Sequence, residues 1–600
     1  MVKRLGKLSD PRLIAGIWIA MMGCAAAPAA PEVQEDLLSA TVEEREAVTE
    51  ALQTELARSM SELRIGDNEP PYFLQYHLRD DETYTIAGKY GALTSENHRR
   101  QRYAYVEGRV GSYEFDNFAN VDSQSWRMAD FRADRFLPLD GDKDALRGGL
   151  WLLTDEAYKK ALSDYLTKRG GAVYSAESRE MVPSFSQEEP QQYRGEVRPL
   201  QIDVEGWRAM VKDLTAEMRA NEDLLDSSME INARRVVRYL VNSEGTDIIE
   251  EFTLYTIQAQ AVTRAEDGML LRNSRLFYAL DADRLPERDH IEGEVRQMVE
   301  DLDALRQAPV IDPYTGPAIL GAEAAGVLFH EAVGHRLEGE RQLDEFEGRT
   351  FTGQVGVRML PRFLSVYDDP GLREMEGTQL NGFYHFDDQG VPAQRASLVE
   401  NGVLQGFLMS RTPIKGVDRS TGHGRAQGVN TPRARMSNLV VEADEEHSVP
   451  YEELKEMLIE ETRRQDKPYG LIIRDITGGS TNTLNFGYQA FKGVPTMIYK
   501  VDAETGEETL VRGVEMVGTP LSSINKIEAA SLEIGIFNGY CGAESGYVPV
   551  SAIAPALLTT EIELQRSSQA RERRPVLSPP WAKAAPETAD LDEEDDSSLE

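Results

Sequence analysis

Apolar and polar positions follow two different periods along this chain. Over residues 42–63, Val42, Val48, Leu52, Leu56 and Met60 form a stripe at helical spacing among charged residues. Residues 70–87 and 102–115 instead alternate as strands do, as in Tyr72-Phe73-Leu74-Gln75-Tyr76 and Tyr103-Ala104-Tyr105-Val106. The spacing predicts helices over 149–167 and 204–229, strands over 236–240 and 251–262, and an amphipathic helix over 290–305. Small and apolar residues run together over 322–328, which predicts a buried helix. Beyond it the pattern breaks into short strands between Gly, Asn and Asp turns, with one further helix over 451–464. The expectation is an α+β protein. A mixed α/β N-terminal domain, 41–309, precedes a β-rich C-terminal domain, 310–566, that carries the buried helix.

The two ends have a different composition. Lys3, Arg4, Lys7 and Arg12 precede an apolar run over 13–23, which is too short for a comfortable membrane span. The run ends at Gly23-Cys24, a small residue before a cysteine, as in a bacterial lipoprotein signal. This predicts a signal peptide over 1–23 and lipidation of Cys24. An Ala/Pro-rich tether over 24–40 follows, and the protein is exported and held at the periplasmic side of a membrane by its lipid anchor only. The alternative is an apolar N-terminal helix in a cytoplasmic protein. Residues 567–600 turn Pro-rich and then acidic, which predicts a disordered tail. Net charge is −37, and acidic residues are spread along the 600-residue chain. Phosphate contact needs clustered Lys and Arg, so the balance argues against nucleic acid and suits neutral or basic peptides. Gly478-Gly479-Ser480-Thr481-Asn482 lacks the Lys-Ser/Thr end of a phosphate loop, and no Gly-x-Ser-x-Gly element points to a serine hydrolase.

The chemistry concentrates just after the buried helix. His330-Glu331-Ala332-Val333-Gly334-His335 places two histidines and a glutamate within six residues, in a chain with eight histidines in all. A His-Glu pair with a second His one turn on is a way to hold zinc beside a general base. Here the second His comes five residues after the first. On a regular helix that leaves it about 140° away, against about 40° at four residues. Both rings can therefore face one ion only if the helix breaks, and Gly334 is the residue suited to that break. A third ligand is also needed. With Cys24 assigned to the lipid anchor, Cys541 is the cysteine left in the body of the chain, in a Gly-rich segment. A thiolate ligand is the favoured reading, with His385, His423 and Asp387 or Asp388 as other candidates.

The segment HEAVGHRLEGE resembles the zinc motif of the TldD/PmbA metallopeptidase family. So do FTGQVG (351–356), VYDDPG (366–371), FDDQGVP (386–392), LVENGVLQGFL (398–408), STGHGRAQG (420–428), PRARMSN (432–438), GGSTNTLNFG (478–487) and YCGAESGYVPV (540–550), in the family's order. Upstream, Asn242-Ser243-Glu244-Gly245-Thr246 resembles an element of the family's N-terminal domain. The resemblance implies one zinc ion per chain, held by His330, His335 and Cys541, with Glu331 as catalytic base. It also implies unfolded or extended peptide substrates, and a dimer with a second copy or with a related subunit that lacks the zinc motif. Arg425 and Asn438 match a second recurring segment, as candidates for binding substrate or bracing the metal loop. Family members are often cytoplasmic, so a lipid anchor is a departure. Two alternatives stand beside the peptidase: a catalytically silent, lipid-anchored binding or assembly protein of the same fold, and a zinc hydrolase of a non-peptide amide.

Overall fold

The computed structural model describes residues 41–600 except 119–132, 134, 141, 175–181, 344–349, 484–490, 519–523, 568–574, 576, 578 and 582–600. Cys24, the signal segment and the tether therefore lie outside the described residues, as does most of the acidic tail. Among the described residues no helix is long and apolar enough to cross a membrane.

Helix α1 (Val42–Glu62) starts at a reciprocal cap. The Thr41 hydroxyl accepts the Glu44 N–H at 3.1 Å and the Glu44 carboxylate accepts the Thr41 N–H at 2.9 Å. Val48, Leu52 and Leu56 of the expected stripe are buried, whereas Val42 in the first turn is exposed. Two long antiparallel hairpins follow, β1 (Pro71–Lys89) with β2 (Ala92–Val110) and β3 (Leu224–Asn242) with β4 (Asp247–Arg264). They are joined by β1–β3 pairing that sets Gln75 opposite Asn242 and Gly88 opposite Met229. β5 (Leu270–Ala279) and two short strands complete a seven-stranded sheet. Strands this long carry two separate cores. Leu74, Tyr76 and Leu78 pack under α1 and α2 (Lys143–Tyr174). Tyr84, Ile86 and Ile231 pack under α3 (Val204–Arg219) and α4 (Arg288–Gln307). The expected helix over 204–229 thus ends at Arg219. Residues 224–229 open β3 instead, because from Ser227 onward alternate residues, among them Met229, Ile231 and Ala233, bury on the sheet at strand rather than helical spacing.

The second sheet has twelve strands. β6 (Tyr314–Leu320) leads into α5 (Ala322–Ala332), and α6 (Tyr451–Arg464) precedes β7 (Tyr469–Thr481), β8 (Phe491–Asp502), β9 (Val514–Gly518), β10 (Ile527–Ala543) and β11 (Gly546–Arg566). Pairings β6–β7, β7–β8, β8–β9, β9–β11 and β11–β6 close on themselves. The expectation of short strands fails here, since β10 and β11 run for 17 and 21 residues. α5 packs on this sheet, and Val327, Leu328 and Phe329 are buried in its main apolar core.

Buried charges join the two sheets. Asp388 takes Arg79 of β1 at 2.6 Å and Arg238 of β3 at 2.7 Å. Arg411 is 1 % exposed and pairs with Glu244 at 2.7 Å while lying over the rings of Phe73 and Phe185. Near the C-terminus, Trp581 packs against Tyr90 with ring centroids 5.2 Å apart.

Candidate metal centre

The helix break that the five-residue spacing requires is present. α5 ends at Ala332, Val333 takes φ −115° and ψ −54°, and residues Gly334–Leu337 wind as a tighter 3₁₀ turn. The His330 and His335 rings come to lie with centroids 5.0 Å apart and planes at 88°. The role of Gly334 differs from the expected one. It is not among the residues with positive φ. A Cβ placed on it would stand 2.0 Å from the Met436 sulfur and 3.4 Å from Leu439 Cδ2. Gly334 is there so that the turn can lie against Met436.

Cys541 sits near the end of β10, opposite Val548 of β11. Its Sγ is 3.4 Å from His335 Nε2, and the donor atoms of His330, His335 and Cys541 all lie within 4.8 Å of one another. Donors on a tetrahedral zinc with ordinary bond lengths stand roughly 3.3–3.7 Å apart, so small adjustments bring this set onto one ion. All three are buried, at 7 %, 6 % and 3 % exposure. Glu331, at 8 %, points a carboxylate oxygen to within 3.9 Å of His335 Nε2.

The electrostatics suit a cation. Burial alone would raise the Cys541 thiol. The adjacent His335 and His330 outweigh it and hold the group well below its usual range. Burial equally opposes charge on His335, and Cys541 and Glu338 reverse that, raising the imidazole well above its ordinary value. The result is a thiolate–imidazolium cluster in which a metal ion can take the place of protons.

An outer layer of charge orients these donors. Glu338 meets His335 Nδ1 at 3.2 Å, which leaves Nε2 to face Cys541. Burial pushes the Glu338 carboxyl up, but His335, Arg341 and Arg435 bring it down to about 2. Arg435 is fully buried. One of its nitrogens donates to the Cys541 carbonyl at 2.7 Å and to Sγ at 3.2 Å, and its Nε lies 3.4 Å from Glu338. Arg336 ties off the broken helix by donating to the Glu331 carbonyl at 2.9 Å and to the Thr481 hydroxyl of β7 at 3.1 Å. Gly479 of β7 lets that strand pass beside Glu331, since a Cβ there would sit 2.7 Å from Glu331 Cγ. The sequence reading missed Glu338, Arg435 and Gly479. The available signal for Glu338 was an acid three residues after a candidate ligand, which is within one helical turn.

The other candidates lie elsewhere. His423 is fully buried against Asp368, at 3.1 Å. His385 pairs with Glu250 at 2.9 Å. Asp388 is taken by Arg79 and Arg238, and Asp387 accepts the backbone N–H groups of Gln389, Val391 and Gly424. None of these joins the donor cluster. The Asn438 amide bridges the backbone at Gly382, Asp369 and Leu372, a bracing role. Arg425 donates to the Met436 and Pro549 carbonyls and so braces the segment against which Gly334 packs.

Residues 313–566 match the family model of the PmbA/TldA metallopeptidase C-terminal domain. The chain is 27 % identical over 430 residues to a protein of Archaeoglobus fulgidus named metalloprotease, a match spanning 69 % of this chain and 89 % of that one. It is 25 % identical over 251 residues, 41 % of this chain and 51 % of the relative, to a Saccharolobus solfataricus protein named zinc metalloprotease TldD homolog. The fold resembles the crystal structure of TldE from Thermococcus kodakarensis, with a TM-score of 0.55 and 15 % identity over 86 % of this chain and 100 % of the other. The matched domain is the one that carries all three donors and Glu331, so the similarity to TldD/PmbA metallopeptidases covers the whole candidate metal centre.

Proposed function

We propose that this chain is a zinc-dependent peptidase acting on unfolded or extended polypeptides. The observation that carries this is the convergence of His330, His335 and Cys541 on one point beside Glu331, from segments 206 residues apart. Two imidazoles and a thiolate form a three-ligand set of the kind that leaves zinc a fourth position. Zinc bound there would lower the pKa of its water towards about 7 and polarise a carbonyl.

The remaining work belongs to the chain. Glu331 adjoins the donors, with a carboxylate oxygen 3.9 Å from His335 Nε2, and is placed to accept a proton from water and pass it to the leaving amine. Glu338 orients the His335 ring through Nδ1, and Arg435 orients Cys541 by donating to its sulfur. From β10, Ile534–Ala543 pairs with β11 on one side, and an extended substrate could add along the other edge by main-chain hydrogen bonds. The TldE neighbour supports assembly with a related subunit, a homodimer being the other form. A test combines metal analysis with digestion of an unstructured peptide. About one zinc per chain, lost in Cys541→Ser and His335→Ala, and cleavage lost in a zinc-loaded Glu331→Gln protein, are the expected results. Purification without chelator that yields no zinc would overturn the reading.

A further inference from the structure

A second concave site lies on the other side of the hairpin that carries Cys541. Tyr540 stands opposite Pro549 and Cys541 opposite Val548. Neighbouring strand residues face opposite sides, so Tyr540 turns away from the metal donors. It turns into a cavity of about 180 Å³ between the two sheets. Phe252, Phe383, Phe386 and Tyr540 supply apolar wall. Tyr540 and Tyr547 are 45 % and 64 % exposed and mark where the cavity opens.

Its polar wall is one-sided. The acceptors are occupied: Asp388 is taken by Arg79, Arg238 and the Ala426 N–H, and Asp387 by three backbone N–H groups. Donors remain. Asn381 is 5 % exposed and its side-chain N–H₂ has no partner, and neither has Nε of Arg238, which is 4 % exposed. Arg79, Arg234 and Arg238 each have a carboxylate partner. Arg425 has none among the described residues; it donates to two carbonyls and lies 5.0 Å from the centre of the Tyr384 ring. A buried donor without an acceptor is costly until something accepts from it.

We propose that this cavity binds a carboxylate carried on an aromatic or aliphatic group, supplied as the C-terminal residue of a peptide. The unpaired donors and Arg425 take the carboxylate, and the phenyl walls take the side chain. The peptide source rests on the peptidase reading, whereas the carboxylate site does not.

The test is calorimetric titration of the full chain as Glu331→Gln, which removes turnover. The probes are N-acetyl-phenylalanine and a Gly-rich hexapeptide ending in Phe, each as free acid and as C-terminal amide. The acids should bind at least about tenfold more tightly than the amides, because the amide gives up the charge and one acceptor. Arg425→Gln should abolish that preference, and Asn381→Asp, which brings its own carboxylate, should abolish binding. Unchanged thermal melting shows that these variants fold, and the acid–amide comparison needs neither variant. Binding should persist in His335→Ala, which separates this site from a carboxylate at the metal. Equal binding of acid and amide, or loss of binding in His335→Ala, would overturn the proposal. Binding of N-acetyl-phenylalanine without the peptide acid would keep the carboxylate site and overturn its peptide source. Wild-type protein that binds the acids but cleaves nothing would sink the peptidase reading alone.

Discussion

Gly334 offers the sharpest test of how the metal centre is built. Two explanations for a glycine between the histidines make different demands. A left-handed backbone would penalise any side chain regardless of its neighbours. Close packing penalises a side chain only while the neighbour remains. The structure supports packing: Gly334 is not in the positive-φ region, and an added Cβ meets the Met436 sulfur at 2.0 Å and its methyl at 3.1 Å. Met436 is fully buried and its carbonyl holds Arg425, so it has little room to yield. Overpacking of this kind costs about 1–3 kcal/mol in Gly334→Ala. Met436→Ala alone should cost about 2–5 kcal/mol as a large-to-small change. In the double variant the new methyl occupies space the sulfur vacated, so the costs should fall short of their sum by about 1–3 kcal/mol. Urea denaturation of the metal-free proteins, with equal slopes, reads this coupling. Zinc affinity gives an independent readout, weakened in Gly334→Ala and restored in the double variant. Strict additivity, or a neutral Gly334→Ala, would refute the packing argument.

Other perturbations separate the parts of the site. Glu338→Gln and Arg435→Met should each weaken zinc binding by about 10–100-fold in a chelator competition, since both act on ligands they do not replace. Gly479→Ala should displace Glu331 and cut kcat by up to about a hundredfold with zinc content intact; loss of the metal instead would place the strain on the ligands. His77 gives a pH signature far from the metal. It is buried, and burial first, then Arg79, hold its pKa well below the usual 6.5; its Nε2 accepts from Arg79 at 3.2 Å, which requires the neutral ring. A histidine with a depressed folded pKa contributes stability above its unfolded pKa and loses it as pH falls through that value. Between about pH 7.5 and 5.5 the wild type should therefore lose stability more steeply than His77→Gln, by up to about 1.4 kcal/mol per pH unit. Parallel curves would remove His77 from the account.

How much of this was legible in the sequence depends on how far each feature is local. His330, Glu331 and His335 are neighbours in sequence, so their spacing alone demands a helix break. Cys541 was reachable by elimination because the chain holds two cysteines. Arg435 was not, since in sequence it is an ordinary charged residue and only tertiary packing buries it; Glu338 carried one signal, its place one helical turn after His335. Glycine misled the reading of the strands. Gly478, Gly479, Gly535, Gly539 and Gly542 resemble turn signals, yet they lie inside β7 and β10. Gly479 stands opposite Gly493 and beside Glu331, where the backbone must approach closely. Over 204–229 apolar residues fit both periods, and pairing with β1 and β4, which no local window contains, decided for a strand from Leu224 onward.

The buried charges at the metal centre follow one rule. From Cys541 outward the signs alternate: thiolate, Arg435, Glu338, then Arg341 and His335. A buried charge without its opposite is costly, whereas a chain of opposites within hydrogen-bond reach offsets much of that cost. Cys541 is thereby held as the thiolate, and the His335 ring is held in orientation, by the protein itself. Glu338 and Arg435 each touch a ligand on one side and another outer charge on the other, so removing either leaves its neighbour unpaired and turns a donor. That is why Glu338 and Arg435, which offer the ion no atom, belong to its binding site as much as to the fold.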